Sequence, residues 1–125
     1  VSFWHPDRLP LIFLGADDTR KSVTGTTETE VKYFRFNQPS INPFNKIKVN
    51  LSLWVTGGNG IASIYIDDEA SPRLTLNTNS TSEKILSGEF NIGDLSAGIH
   101  TLRLKIKNDT SGQTVYTELL EVYAR

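Results

Sequence analysis

Trp54 sits on the polar side of an alternating run, K-I-K-V-N-L-S-L-W-V from Lys46 to Val55, beside Lys48, Asn50 and Ser52. Outward aromatics on a sheet, flanked by amides and charges, are one way sugar rings are bound; an aromatic at such a place is equally at home under a loop or in a subunit contact. The apolar C–H face of a pyranose packs on the aromatic plane, and the polar groups bond its hydroxyls. After Gly57–Gly60 a second alternation follows, Ala62, Ile64 and Ile66. Read as a hairpin closed by that loop, the two runs set Val55 opposite Ala62, Leu53 opposite Ile64 and Leu51 opposite Ile66. Tyr65 then falls diagonally across from Trp54 on the same face. The candidate ligand-binding set is therefore Trp54, Tyr65, Lys48 and Asn50.

Other chemistry is thinly supplied. The chain has 14 acidic and 13 basic residues, two histidines and no cysteine. Thiol nucleophiles, disulfides and Cys-ligated metals are excluded. Asp67-Asp68-Glu69 and Asp17-Asp18 cluster carboxylates, but without the D-x-D-x-D-G spacing of a calcium loop; calcium at Asp67–Glu69 is left open, and no metal site is assigned. His5 has Asp7 nearby and His100 has Asp94, yet no nucleophile-elbow or phosphate-loop pattern accompanies either, and His100 opens a core-facing row. The sequence therefore predicts no enzyme and no cofactor. A net charge of −1 argues against a general nucleic-acid binder, although Arg103, Lys105 and Lys107 form an outward basic row. No apolar run approaches the ~18 residues of a membrane helix.

The elements that must position these residues are strands. Val31–Phe36 places Phe34 and Phe36 in the core. Leu74 and Leu76 form a short strand, and Leu86, Phe90 and Ile92 alternate around Gly88, where a bend or bulge is expected. His100, Leu102, Leu104 and Ile106 line one face of a further strand, and Val115–Tyr123 closes the chain with its period blurred at Leu119-Leu120. With Leu9–Leu14 this makes about eight strands, an all-β antiparallel sandwich, jelly-roll-like, in a single domain over 1–125. Residues 1–14 are read as an apolar arm or a first strand, 15–28 as a polar linker or loop, and 29–125 as the core. In the arm reading Phe3, Trp4, Leu11, Ile12 and Phe13 are assembly residues that add to a neighbour's sheet edge.

The stretch F-N-I-G-D-L-S-A-G-I-H-T-L-R-L-K-I, Phe90 to Ile106, resembles the late strand–turn–strand of jelly-roll modules of the carbohydrate-binding kind. Similar phrasing occurs in domains of virion and surface-filament proteins. The resemblance implies the sandwich and carries no ligand residue with it. The expected function is a non-enzymatic structural or adhesive protein, a virion or cell-surface component working through protein contacts as a homo-oligomer or with other structural proteins. The alternative is a carbohydrate-binding module using an exposed aromatic sheet face, with carbohydrate as partner. Either role sets it outside the cell, at the cell surface or in a virion.

Overall fold

The computed structural model describes residues 10–125. Ten β-strands form among them: β1 (Ile12–Asp17), β2 (Lys21–Thr24), β3 (Thr29–Gln38), β4 (Lys46–Val55), β5 (Gly60–Ile66), β6 (Leu74–Thr78), β7 (Lys84–Asn91), β8 (Gly98–Asn108), β9 (Thr114–Thr117) and β10 (Leu120–Ala124). No helix of the described residues is long and apolar enough to cross a membrane. All pairings are antiparallel. The first sheet runs β1-β10-β4-β9-β2, with β7 on the other side of β4; the second runs β3-β8-β5-β6. Their inner faces meet in one core, an antiparallel jelly-roll sandwich.

The count of ten, against about eight from the sequence, has a local cause. β10 pairs with Ile47–Leu51 and β9 with Trp54–Val55, so the two lie end to end along one edge of β4. β1 and β2 flank them in the same way. Between β9 and β10 the ladder opens at Ser52, whose buried Oγ accepts the N–H groups of Glu118 at 3.0 Å and Leu119 at 2.8 Å. A hydroxyl thus satisfies two amides that an unbroken ladder would have paired. Each sheet still has four strand positions.

Alternation fills the core as written. Ile47, Val49, Leu51, Leu53 and Val55 of β4 are buried, as are Leu102, Leu104 and Ile106 of β8 and Ala62, Ile64 and Ile66 of β5. Phe36 is buried as expected, and Phe34 packs against the same core. The hairpin register is corrected, however. β4 belongs to the first sheet and β5 to the second, where β5 pairs with β6 and β8. Gly57–Asn59 crosses between sheets, with Gly58 at φ +67° and the Gly57 carbonyl held by Asn108 Nδ2 at 2.9 Å. The physical reason is that alternation fixes which face is buried, and two apolar rows satisfy that equally well facing each other across a core. Gly88 is corrected too. The β4–β7 register runs unbroken from Lys46↔Asn91 to Leu53↔Lys84. Glycine fits closely there: a Cβ would lie 2.6 Å from Leu74 Cδ2, so a larger residue obliges the Leu74 side chain to shift.

A bulge between Glu30 and Lys32 turns Lys32 into the sandwich. Its side chain is buried, and Nζ donates to the carbonyls of Asp17 (3.0 Å) and Glu118 and to Asp17 Oδ1 (3.3 Å). This one ammonium group ties β3 of the second sheet to the end of β1 and to the β9–β10 link in the first. At the other end of β3, buried Gln38 donates Nε2 to the carbonyls of Phe44 (2.9 Å) and Ile92 (3.2 Å) and accepts the Phe44 N–H at 2.8 Å. The β3–β4 loop is fixed by those three bonds.

The expected arm is only partly within the described residues. Phe3 and Trp4 lie outside them. Ile12 and Phe13 belong to β1, paired with Ala124 and Tyr123 of the chain's own β10, and Leu11 directly precedes it. Much of 15–28, expected as linker or loop, is strand in β1 and β2. Backbone pairing at a sheet edge needs no apolar period, so the polar composition concealed it.

Candidate functional site

The outer face of the first sheet gathers the polar row of β4. Trp54 pairs with Tyr116 of β9; their rings stack with centroids 5.3 Å apart and planes 15° from parallel. The Arg20 guanidinium lies 5.1 Å over the indole and bonds Glu118 at 3.3 Å. Arg20 is 61% exposed, so it covers the ring loosely, and displacing it costs about 0.5–1 kcal/mol. Further along, Asn50 Oδ1 accepts from Ser87 Oγ at 2.6 Å and Asn50 Nδ2 donates to Glu121 Oε1 at 3.3 Å. Lys48 stands between Tyr123 of β10 and Glu89 of β7, and Phe13 packs edge-on against Tyr123 at 5.5 Å. Trp54 and Lys48 are six residues apart on one strand, so the row is about 20 Å long. Aromatic planes stand at both ends, with amide and carboxylate groups between.

Of the four expected ligand residues, the structure brings together Trp54, Asn50 and Lys48. Tyr65 is elsewhere, on the outer face of the second sheet. It is buried there, with its hydroxyl donating to Glu28 at 2.9 and 3.0 Å and Lys105 Nζ 4.3 Å over its ring. Its separation from Trp54 follows from the corrected β4–β5 crossing. Tyr116, Tyr123 and Phe13 complete the row in its place. Val115 and Val122 are buried, so the tyrosines beside them had to point outward; Leu119-Leu120, at the β9–β10 break, hid that period.

The acidic loop end is held by the protein's own cations. All five N–H groups of Arg73 are used: Nε and Nη2 to Glu69 (2.8 and 2.7 Å), Nη1 and Nη2 to Asp94 (2.8 and 2.9 Å), and Nη1 to the Asn91 carbonyl (3.0 Å). His100 Nδ1 meets Asp67 Oδ2 at 2.6 Å, and Nε2 meets the Ser96 carbonyl at 2.7 Å. Acceptors on both ring nitrogens favour the imidazolium, so the Asp67 bond first and the Ser96 carbonyl second raise the His100 pKa against the opposing effect of burial. Burial works against ionisation of Asp67, but the His100 and Thr101 hydrogen bonds outweigh it and lower its pKa.

The sign of the pH dependence follows. A raised histidine stabilises fully below its unfolded value near 6.5 and loses that contribution as pH rises through the folded pKa. The lowered Asp67 contributes above its unfolded value near 3.8 and loses it as pH falls through the folded pKa. Thermal unfolding scanned from pH 5 to 9 should therefore show Tm declining above about pH 6.5. His100→Gln should flatten that limb. A wild-type Tm unchanged from pH 6 to 9 would contradict the double-acceptor geometry.

Comparisons with known proteins agree with this architecture. No protein-family model matches the chain, and no curated protein matches it. Among solved structures it is similar to a CBM36 carbohydrate-binding module in complex with calcium and xylotriose, at TM-score 0.55 and 11% identity over 94% of this chain and 95% of that one. It is also similar to the insecticidal delta-endotoxin Cry8Ea1 from Bacillus thuringiensis, at TM-score 0.59 and 15% identity over 85% of this chain. The chain spans only 19% of that toxin. The fold is thus a jelly-roll β-sandwich of the kind found in carbohydrate-binding modules. Calcium does not fit the acidic loop here: Glu69 and Asp94 are committed to Arg73, Asp67 to His100 and the Thr101 N–H, and among the described residues no group of three or more His, Asp or Glu is placed to hold a metal ion.

Proposed function

We propose that this domain binds carbohydrate, without catalysis, on the outer face of its first sheet. The observation that carries the reading is the row from Trp54/Tyr116 through Asn50/Glu121 to Phe13/Tyr123, aromatic planes separated by hydrogen-bonding groups on one strand. Such a row matches a polymer whose repeating rings are apolar on their faces and hydroxylated at their edges. The fold likeness to a carbohydrate-binding module of nearly equal length supports it. An extracellular or cell-surface setting goes with that ligand.

Trp54→Ala and Tyr116→Ala remove the stacked pair without touching the core. Each should cost the fold only about 1 kcal/mol while reducing retention on a glycan array or polysaccharide affinity gel at least tenfold. Retention unchanged in both variants would sink the reading.

A second reading, assembly through protein contacts, has one observation in its favour. β1 is an edge strand whose Ile12 and Phe13 are 52% and 57% exposed. Sedimentation of the intact protein decides it: association abolished by Phe13→Lys supports it, and a strict monomer at high concentration rules out self-assembly at this edge.

A further inference from the structure

A cavity of about 720 Å³ opens at the end of the row, lined by Pro10, Ile12, Asn42, Pro43, Phe44, Asn45 and Arg125. We propose that it is a second subsite, which takes the terminal sugar of a neutral oligosaccharide whose remaining rings lie along β4 and β10. This inference rests on the carbohydrate-binding reading and adds direction to it: one end of the site is closed.

Three observations carry it. The cavity adjoins the row, because Arg125 lines it and ion-pairs with Glu89, the cross-strand neighbour of Lys48. Its shape is held by the main chain: the N–H groups of Asn45 and Lys46 donate to the Arg125 carbonyl at 2.8 and 2.9 Å, and Gln38 grips Phe44 from within the core. Two of its polar side chains are uncommitted: the amides of Asn42 and Asn45 make no hydrogen bond to other described residues.

Phe44 with the prolines supplies the apolar wall and the amides supply donors and acceptors, which is the chemistry of a hydroxylated ring. The Arg125 charge is already engaged by Glu89 at 2.7 Å, so the subsite does not call for an anionic sugar.

The test uses the intact chain and five trisaccharides (xylotriose, β-1,4-galactotriose, cellotriose, laminaritriose and mannotriose), each alongside its parent polymer, by calorimetry. Asn45→Trp fills the cavity from an exposed position whose backbone bond is kept. If the subsite exists, affinity per mass of sugar rises at least tenfold from polymer to trisaccharide, since shortening multiplies chain ends. Asn45→Trp should then remove that gain while leaving polymer binding intact. Equal binding per mass by polymer and trisaccharide, unaltered in Asn45→Trp but lost in Trp54→Ala, overturns the subsite and spares the row. Absence of binding to all ten probes overturns both.

Discussion

Lys32→Met is expected to destabilise the domain by about 3–5 kcal/mol, read as a lower urea midpoint at unchanged slope. Methionine fills a similar volume, so the loss comes from the charge and its bonds. The ammonium is enclosed by the two sheets and donates to the Asp17 and Glu118 carbonyls and the Asp17 carboxylate. Without it, the carbonyls of Asp17, at the end of β1, and Glu118, in the β9–β10 link, face a thioether that donates nothing, and each buried orphan costs about 1–3 kcal/mol. Asp17 is 45% exposed and recovers water on its own side, which keeps the expected loss within that range. A change below about 1 kcal/mol would show that Lys32 behaves as a surface ion pair and that the sheets are not joined through it.

Leu53→Asp is expected to unfold the domain outright. Leu53 has 0% exposure and stands mid-row in β4, the strand that contacts β7 on one side and β9 and β10 on the other. A carboxylate there is surrounded by apolar side chains, and the interior ammonium of Lys32 is already engaged by Asp17 and Glu118, so it must lose its hydration or its charge, at a cost of several kcal/mol, on top of the lost leucine burial of about 2–3 kcal/mol. Together these approach the ~5–15 kcal/mol that holds a domain of this size. Circular dichroism and proton NMR of the variant should show no cooperative β-structure. Native-like amide dispersion would mean that the β4 row is misassigned. Trp54→Ala, one residue along on the opposite face, is the matched control and should fold.

The contrast between those neighbours shows what was legible in the sequence. The alternation of β4 and β8 named the buried residues correctly, because a strand half-buried in a sandwich has no other way to segregate its side chains. It did not name neighbours. Leu53 and Ile64 face the same core from different sheets, so Tyr65 was placed beside Trp54 when it lies on the far side of the molecule. Lys32 was invisible as an interior cation, since the bulge after Glu30 shifts the β3 period and nothing local announces it. Trp54, Asn50 and Lys48 were readable from one strand alone, whereas Tyr116 and Tyr123 required knowing that Ser52 opens the ladder between β9 and β10. Residues of one strand were readable; cross-strand partners were not.

The central claim is that carbohydrate is bound on the outer face of the first sheet. Proton–nitrogen chemical-shift mapping during titration with a retained oligosaccharide tests it most directly. The predicted result is a connected set of perturbed resonances at the Trp54 indole, the Asn50 side-chain amide and the backbone of Tyr116, Glu121 and Tyr123. Perturbations confined to the second sheet around Tyr65 and Lys105, or to the Asp67–Arg73 loop end, with the Trp54 indole unmoved, would contradict it.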